Sequence, residues 1–170
     1  QHFYGSNIGT VNIPDNFVLV DGMFYNVTVN TMTLGNNITV PNLTCITGAI
    51  TNMTVGDNLV GTFANQTPQV TNMTFGSNST LNSSSSARYS NLTIGLGNTL
   101  PSSAFFECEI TNLIIPAPTS VSEINTFTGS SHFYGNNISA LPDYFSSSFV
   151  NSFPNTIFAS NAFSGNITFT

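Results

Sequence analysis

Apolar residues recur at fixed positions along the chain. In units of about 20 residues, apolar or aromatic side chains occupy the first, fourth and sixth positions, as in Ile50, Met53 and Val55 of the string ITNMTVGDN. This string recurs almost unchanged as VTNMTFGSN at residues 70–78. Over eight units, 22 of 24 such positions are apolar or aromatic, where an apolar fraction of 40% would give about ten. The apolar composition alone therefore does not explain the pattern, which indicates a sequence repeat.

The spacing of the units predicts a solenoid. The fourth positions lie 19 to 21 residues apart, at Val11, Met32, Met53, Met73, Leu92 and Leu113, and two looser copies are centred at Leu141 and Ile167. A period of this length is typical of solenoids, in which each unit buries its apolar face only against its neighbours. We expect one solenoid domain of about eight repeats over residues 1–170.

The alternation inside each unit predicts short strands. Positions four and six alternate with polar positions three and five, which is the period of a strand with one buried face. Gly or Pro follows most of these strands, at Pro14, Gly35, Gly56, Gly76, Gly95 and Pro116. We therefore expect an all-β fold in which parallel strands stack about 4.8 Å apart into one long sheet, closed on the other side by return segments that carry Phe.

The outward positions form columns of Asn and Thr. The third positions include Asn52, Asn72, Asn91 and Asn112, and the fifth positions form an exposed ladder of Thr33, Thr54, Thr74 and Thr93. Three interpretations of this face are open. The side chains stabilise the stack through hydrogen bonds along each column; the face carries glycans; or it resembles ice-binding solenoids, although Ile114 and Pro142 interrupt the Thr column.

The low charge excludes several partners. Charged residues make up 5% of the chain, with one Arg and a formal charge of −6. Nucleic acids and anionic lipid surfaces require clustered Lys and Arg, so neither is an expected partner. No apolar run approaches 18 residues, so no membrane-spanning segment is expected.

Potential N-glycosylation sites favour an extracellular or cell-surface location. Eleven Asn-x-Ser/Thr sequons are present, at Asn26, Asn37, Asn42, Asn52, Asn65, Asn72, Asn78, Asn82, Asn91, Asn137 and Asn166. Glycans on neighbouring strands would crowd one another, so sequons in turns are the easier acceptors.

The residues capable of chemistry are few. Cys45 and Cys108 share one repeat slot three units apart, which places them about 14 Å from each other, too far for an intrachain disulfide. Two alternatives are open for these cysteines: they are buried free thiols, or they form disulfides between molecules. His2 and His132 each begin a duplicated HFYG string, which indicates a structural role. Glu107 and Glu109 leave a weak calcium site as an alternative, but we expect no enzyme activity, no cofactor and no resident metal.

The repeat resembles a known family. The strand string is similar to LxxLxLxxN of the leucine-rich repeats, with Asn at the ninth position in Asn16, Asn37, Asn58 and Asn78. Aromatic residues followed by small or polar ones recur in the second half of the units, as in GMFYN, GTFAN and AFFEC. Together these features resemble the bacterial surface protein A type (BspA-like) leucine-rich repeats. The resemblance implies a cell-surface adhesin or binding module that holds a glycan or protein ligand on its concave Asn/Thr face.

The outermost strands suggest self-assembly. Ile8, Val11 and Ile13 in the first unit and Ile167 and Phe169 in the last match the repeat, and no capping segment is evident beside them. Uncapped solenoid ends tend to recruit another chain. We expect a glycosylated structural protein that stacks head-to-tail into a surface fibre. The alternatives are the binding module and a fragment of a longer repeat protein.

Overall fold

The computed structural model of the protein describes residues 2–41, 45–63, 69–83, 87–101, 104–105, 108–128, 133, 137–138 and 162–163. Within these ranges the fold is all-β, and its only helical turn is a 3-10 turn at Val121–Glu123. The centres of the two looser units, Leu141 and Ile167, lie outside the described residues.

The first sheet consists of six parallel strands, one from each successive coil. They are β1 (Asn7–Ile13), β2 (Phe24–Leu34), β4 (Ile46–Val55), β6 (Gln69–Phe75), β8 (Arg88–Ile94) and β10 (Glu109–Ile114), in that order across the sheet. The register joins equivalent repeat positions, since Met32 pairs with Met53 and Met53 pairs with Met73. The prediction of a parallel β-solenoid with a coil of about 20 residues is confirmed.

A second parallel sheet closes the other side of the coils. It contains β3 (Thr39–Val40), β5 (Val60–Phe63), β7 (Thr80–Ser83), β9 (Thr99–Leu100) and β11 (Thr126–Phe127). The sequence predicted only Phe-bearing return segments here. The missed signal is the two-residue alternation of apolar side chains just after each turn, as in Ile38 and Val40, both of which are buried. Strands β12 (Asn137–Ile138) and β13 (Ala162–Phe163) form a separate parallel pair.

The core lies between the two sheets. In β2, β4, β6 and β8 the residues at repeat positions one, four and six are all buried, as are Leu81, Leu100 and Phe127 from the second sheet. Their apolar area supplies the main stabilisation, at about 1.5–3 kcal/mol for each fully buried side chain. Three large aromatic residues fill the remaining space: Phe24, Phe105 and Phe133. Phe105 stacks on Phe133 at a centroid distance of 5.6 Å.

The turn between the sheets explains the ninth-position Asn. Asn16, Asn37, Asn58 and Asn78 have φ values of 61°, 56°, 58° and 56°, and Gly97 occupies the same slot at 68°. This left-handed conformation favours Gly, because the Cβ of other residues comes close to the following carbonyl oxygen, and it tolerates Asn, whose short polar side chain can hydrogen-bond locally. All four Asn residues are exposed, and Asn37 Nδ2 donates to Asn16 Oδ1 at 3.0 Å. The left-handed turn accounts for Asn at this position of the repeat.

A ladder of side-chain oxygens joins consecutive turns at the eighth position. The Oδ1 atoms of Asp15, Asn36 and Asp57 each accept a hydrogen bond from the backbone N–H of the same position in the next coil, at 2.7 to 2.8 Å. A Cβ on Gly56 would lie 2.5 Å from Asn36 Oδ1, and one on Gly76 would lie 2.5 Å from Asp57 Oδ1. The glycines that follow the strands therefore make room for this ladder.

A buried counterpart of this ladder runs at the tenth position. Ser79 N donates to Asn98 Oδ1 at 2.8 Å, and Asn98 N donates to Asn125 Oδ1 at 2.7 Å. The Nδ2 of Asn98 also donates to the carbonyl oxygens of Gly76 and Gly95. Since Ser79 and Asn98 are 3% and 0% exposed, the first two of these bonds satisfy buried backbone N–H groups.

Candidate functional site: the polar face and edge of the first sheet

The outward Asn column of the first sheet is a chain of amide hydrogen bonds. Asn72 Nδ2 donates to Asn52 Oδ1 at 2.8 Å, Asn91 donates to Asn72 at 2.7 Å, and Asn112 donates to Asn91 at 2.8 Å. The bonds run in one direction along four consecutive strands, because the register places these residues side by side. Each amide thus has a structural role within the sheet, in addition to facing solvent.

The neighbouring Thr column is equally regular. Thr33 pairs with Thr54, Thr54 with Thr74, and Thr74 with Thr93, through β2, β4, β6 and β8. Thr54 and Thr74 are exposed, while Thr33 and Thr93 are half-buried. Ile114 continues the column on β10 and is 50% exposed. The two columns form a surface of amide and hydroxyl groups, which Ile114 interrupts on β10.

The sequons fall into two structural classes. Asn52, Asn72 and Asn91 lie on adjacent strands within the amide ladder. Asn26, Asn37 and Asn78 are exposed at left-handed backbone positions, where glycans would have no neighbouring sequon in the same column of the first sheet. Asn42, Asn65 and Asn166 lie outside the described residues, as do the side chains of Asn82 and Asn137.

A groove lies at the beginning of strands β6, β8 and β10. The residue just before repeat position one contributes Gln69, Arg88 and Glu109, and the residue just after it contributes Thr71, Ser90 and Thr111. Its volume is about 240 Å³, and the buried Tyr89 also lines it. Sequence reasoning did not find this groove. The available signal was that Arg88, the only Lys or Arg of the chain, shares a repeat slot with Glu109.

The charges of the groove are paired. Arg88 Nε lies 3.0 Å from Glu109 Oε2, and the two side chains are 55% and 69% exposed. An exposed ion pair of this kind contributes at most about 1 kcal/mol to folding. Stability alone therefore gives little reason for this pair in a chain with so few charges.

The outer edge of β1 is the terminal edge of the first sheet. Ile8, Val11 and Ile13 are half-buried, whereas the residues at the same positions of β2 are fully buried. Next to β1, Phe3 stacks on Phe24 at 5.1 Å and Tyr4 stacks on Tyr25 at 5.7 Å between ring centroids. Ile167 and Phe169, the predicted partners of this edge, lie outside the described residues.

The remaining candidate residues do not come together. Cys45 and Cys108 are both buried as thiols, and no disulfide joins them. The absence of an intrachain disulfide between them agrees with the prediction from the repeat. His2 is exposed, and His132 and Glu107 lie outside the described residues. Within the described ranges, no group of three or more His, Cys, Asp or Glu residues could hold a metal ion.

One carboxylate outside the sheets has a shifted pKa. Glu123 Oε2 accepts hydrogen bonds from Thr119 N at 2.7 Å and from Thr119 Oγ1 at 2.9 Å. These bonds favour the ionised form, so they lower the pKa of the Glu123 carboxyl below its ordinary value. Glu123 and Thr119 do not line the groove, so this pair of hydrogen bonds belongs to a local turn elsewhere in the fold.

Comparison with known proteins gives no relative from which a site could be transferred. No family model, no curated protein and no solved structure matches the chain. In the described residues, no helix is long and apolar enough to cross a membrane.

Proposed function

We propose that this protein is a non-enzymatic structural solenoid of the cell surface or extracellular space that associates with further copies of itself along the solenoid axis. The observation that carries the proposal is the outer edge of β1. That edge offers the same groups that join one coil to the next inside the molecule: strand hydrogen-bonding groups, apolar side chains and stacking aromatic rings.

The apolar side chains of β1 support this proposal. Val11 and Ile13 occupy the same repeat positions as Met32 and Leu34, which are 0% and 1% exposed because β1 and β4 flank them. A further coil on the outer side of β1 would bury the remaining surface of Val11 and Ile13 in the same way. Each apolar Å² removed from water favours association by about 25 cal/mol.

The aromatic columns point to the same mode of association. Phe3 and Tyr4 each stack on the equivalent ring of the next coil, yet they are 41% and 60% exposed. An incoming coil would extend both stacks. The partner surface in the second copy is predicted to include Ile167 and Phe169.

The extracellular location and the family remain parts of the proposal. Eleven sequons and a charged fraction of 5% support an extracellular, glycosylated protein. The LxxLxLxxN-like strand string supports a relationship with the BspA-like leucine-rich repeats. A coil of parallel strands is compatible with both.

A backbone substitution at the edge tests self-association. Ile13 O accepts a hydrogen bond from Gly35 N on the β2 side, and adjacent residues of a strand direct their backbone groups to opposite sides, so Asn12 N–H points away from β2. Asn12→Pro removes that donor, while Asn12→Ala keeps it and removes only the side chain.

The expected result is assembly of the wild-type and Asn12→Ala proteins with rising concentration, seen as larger species in sedimentation velocity and as filaments in electron microscopy. Asn12→Pro should weaken assembly while its far-UV circular dichroism stays unchanged. Equal assembly of Asn12→Pro and Asn12→Ala would remove the β1 edge as the contact.

A further inference from the structure

The groove at the beginning of β6, β8 and β10 has the chemistry of a ligand site. Three coils contribute one residue each to both of its walls: Gln69, Arg88 and Glu109 on one side, and Thr71, Ser90 and Thr111 on the other. From this arrangement we infer that the groove binds a short, neutral saccharide lying along the solenoid axis. This inference does not rest on self-association through β1.

The ion pair suits hydroxyl groups. Arg88 and Glu109 place a guanidinium and a carboxylate side by side, with Nε and Oε2 3.0 Å apart. A guanidinium offers five N–H donors and a carboxylate about four acceptor positions, so one mutual contact leaves further donors and acceptors on both. A sugar hydroxyl donates and accepts at once. Two vicinal hydroxyls can therefore bond to both members of the pair without leaving either charge unpaired.

The remaining wall residues extend the same pattern. Gln69 supplies an amide with two donors and a carbonyl acceptor, and Thr71 and Ser90 supply hydroxyl groups. The groove repeats these polar groups with each strand, over two strand spacings of about 4.8 Å. That length, near 10 Å, is comparable with two linked pyranose rings lying along the axis.

The size of the groove indicates a partly exposed ligand. Its volume is about 240 Å³, below the roughly 300–1,000 Å³ of sites that enclose a drug-sized molecule. Arg88 and Glu109 are more than half exposed, so water competes for their hydrogen bonds. We expect weak binding, with Kd near 1 mM, that increases when several copies are displayed together.

The charge balance favours a neutral over an acidic sugar. The chain carries a net charge of −6, and its only Lys or Arg already contacts Glu109. An anionic saccharide would meet the field of the whole protein and compete with Glu109 for the guanidinium. A neutral saccharide leaves the ion pair intact.

A defined panel of probes tests the inference. Maltotriose, cellotriose and the trisaccharide of N-acetylglucosamine serve as neutral ligands, and trigalacturonate serves as the acidic one. Binding is followed by saturation-transfer NMR and by chemical-shift titration of the full chain. Arg88→Ala and Glu109→Ala each remove one half of the pair. Thr28→Ala is the matched control, because Thr28 occupies the same repeat position on β2, outside the groove.

The inference predicts that at least one neutral trisaccharide binds, and that Arg88→Ala and Glu109→Ala each weaken it at least tenfold while Thr28→Ala leaves it unchanged. Because both groove substitutions lie on exposed side chains, the variants should keep the wild-type circular dichroism spectrum. Three outcomes would overturn the inference: no neutral probe binds at roughly 10 mM, binding is equal in all variants, or only trigalacturonate binds.

Discussion

Replacing the buried Asn98 should destabilise the solenoid far more than replacing a hydrogen-bonded Asn on the surface. Asn98 is 0% exposed, and its Oδ1 accepts from Ser79 N at 2.8 Å. Its Nδ2 donates to Gly76 O at 3.1 Å and to Gly95 O at 2.8 Å. Asn98→Ala removes all three contacts, and the Gly95 carbonyl alone keeps a second donor, the Nδ2 of Asn125.

The cost follows from the groups left behind. A buried donor or acceptor without a partner costs about 1–3 kcal/mol, and Ser79 N–H and Gly76 O both lose theirs. Because Gly76 is partly accessible to water, we expect Asn98→Ala to lower the free energy of unfolding by about 3 kcal/mol. That is a large part of the roughly 5–15 kcal/mol typical of a native domain.

Asn91→Ala is the control. It removes two amide hydrogen bonds of 2.7 and 2.8 Å from the Asn ladder, but water can replace them on this solvent-facing side of the sheet. The expected cost is below about 1 kcal/mol. The two variants delete the same type of side chain from the same coil. Asn98→Ala loses three hydrogen bonds at a buried site, and Asn91→Ala loses two at a site that water can reach.

Urea unfolding measures the difference. Far-UV circular dichroism reports on the sheets, and tyrosine fluorescence is available because the chain has five Tyr and no Trp. With an m value near 2 kcal/mol per M, Asn98→Ala should lower the midpoint by about 1.5 M and Asn91→Ala by less than about 0.5 M. Equal midpoint shifts in the two variants would refute the buried-ladder argument.

Three further predictions concern other parts of the fold. Gly48→Ala should destabilise the protein severely, by several kcal/mol, because φ is 120° at this position and an added Cβ would meet backbone atoms. Gly9→Ala should be nearly neutral in the same urea assay, because an added Cβ there would have no atom within 4 Å. NMR titration should place the pKa of Glu123 below the ordinary glutamate value. Because the pKa is lowered in the folded state, Glu123 contributes stability above its unfolded-state pKa and loses that contribution as pH falls through its folded-state pKa. A titration midpoint at or above the ordinary value would contradict this prediction. After secretion from a eukaryotic host, glycopeptide mass spectrometry should find glycan on Asn26 and none on Asn72. The reason is that Asn72 lies within the amide ladder, between two further Asn side chains. The reverse occupancy would show that the ladder does not limit glycosylation.

The sequence predicted the first sheet because its signal is periodic and strong. Met32, Met53 and Met73 recur at one repeat position, and their in-register pairing follows from the need of each unit to bury that side chain against the next. The outward columns follow from the same register. Successive side chains of a strand point to opposite faces of the sheet, so Thr54 and Thr74 face outward because the residues beside them face the core.

The second sheet and the groove were harder to predict for physical reasons. Strands β3 and β9 have two residues each, too few for an alternation to stand out from the turn beside them. The tenth position of successive units is apolar at Leu59 but polar at Ser79 and Asn98, so no single residue type marks this position in the sequence. The groove depends on which charged residues become neighbours across strands. The shared repeat slot indicates that Arg88 and Glu109 are neighbours, and the register agrees, but it does not indicate that the polar residues before and after Tyr89 line a groove.

Sedimentation equilibrium of the unglycosylated chain decides whether copies associate through the edge of β1. The monomer has a mass of 18.1 kDa. Across a rising concentration series, association through this edge gives a weight-average mass that climbs through multiples of this value for the wild-type protein and for Asn12→Ala, and that rises much less for Asn12→Pro. A wild-type mass that stays at 18.1 kDa over the whole series would show that the edge of β1 does not join copies.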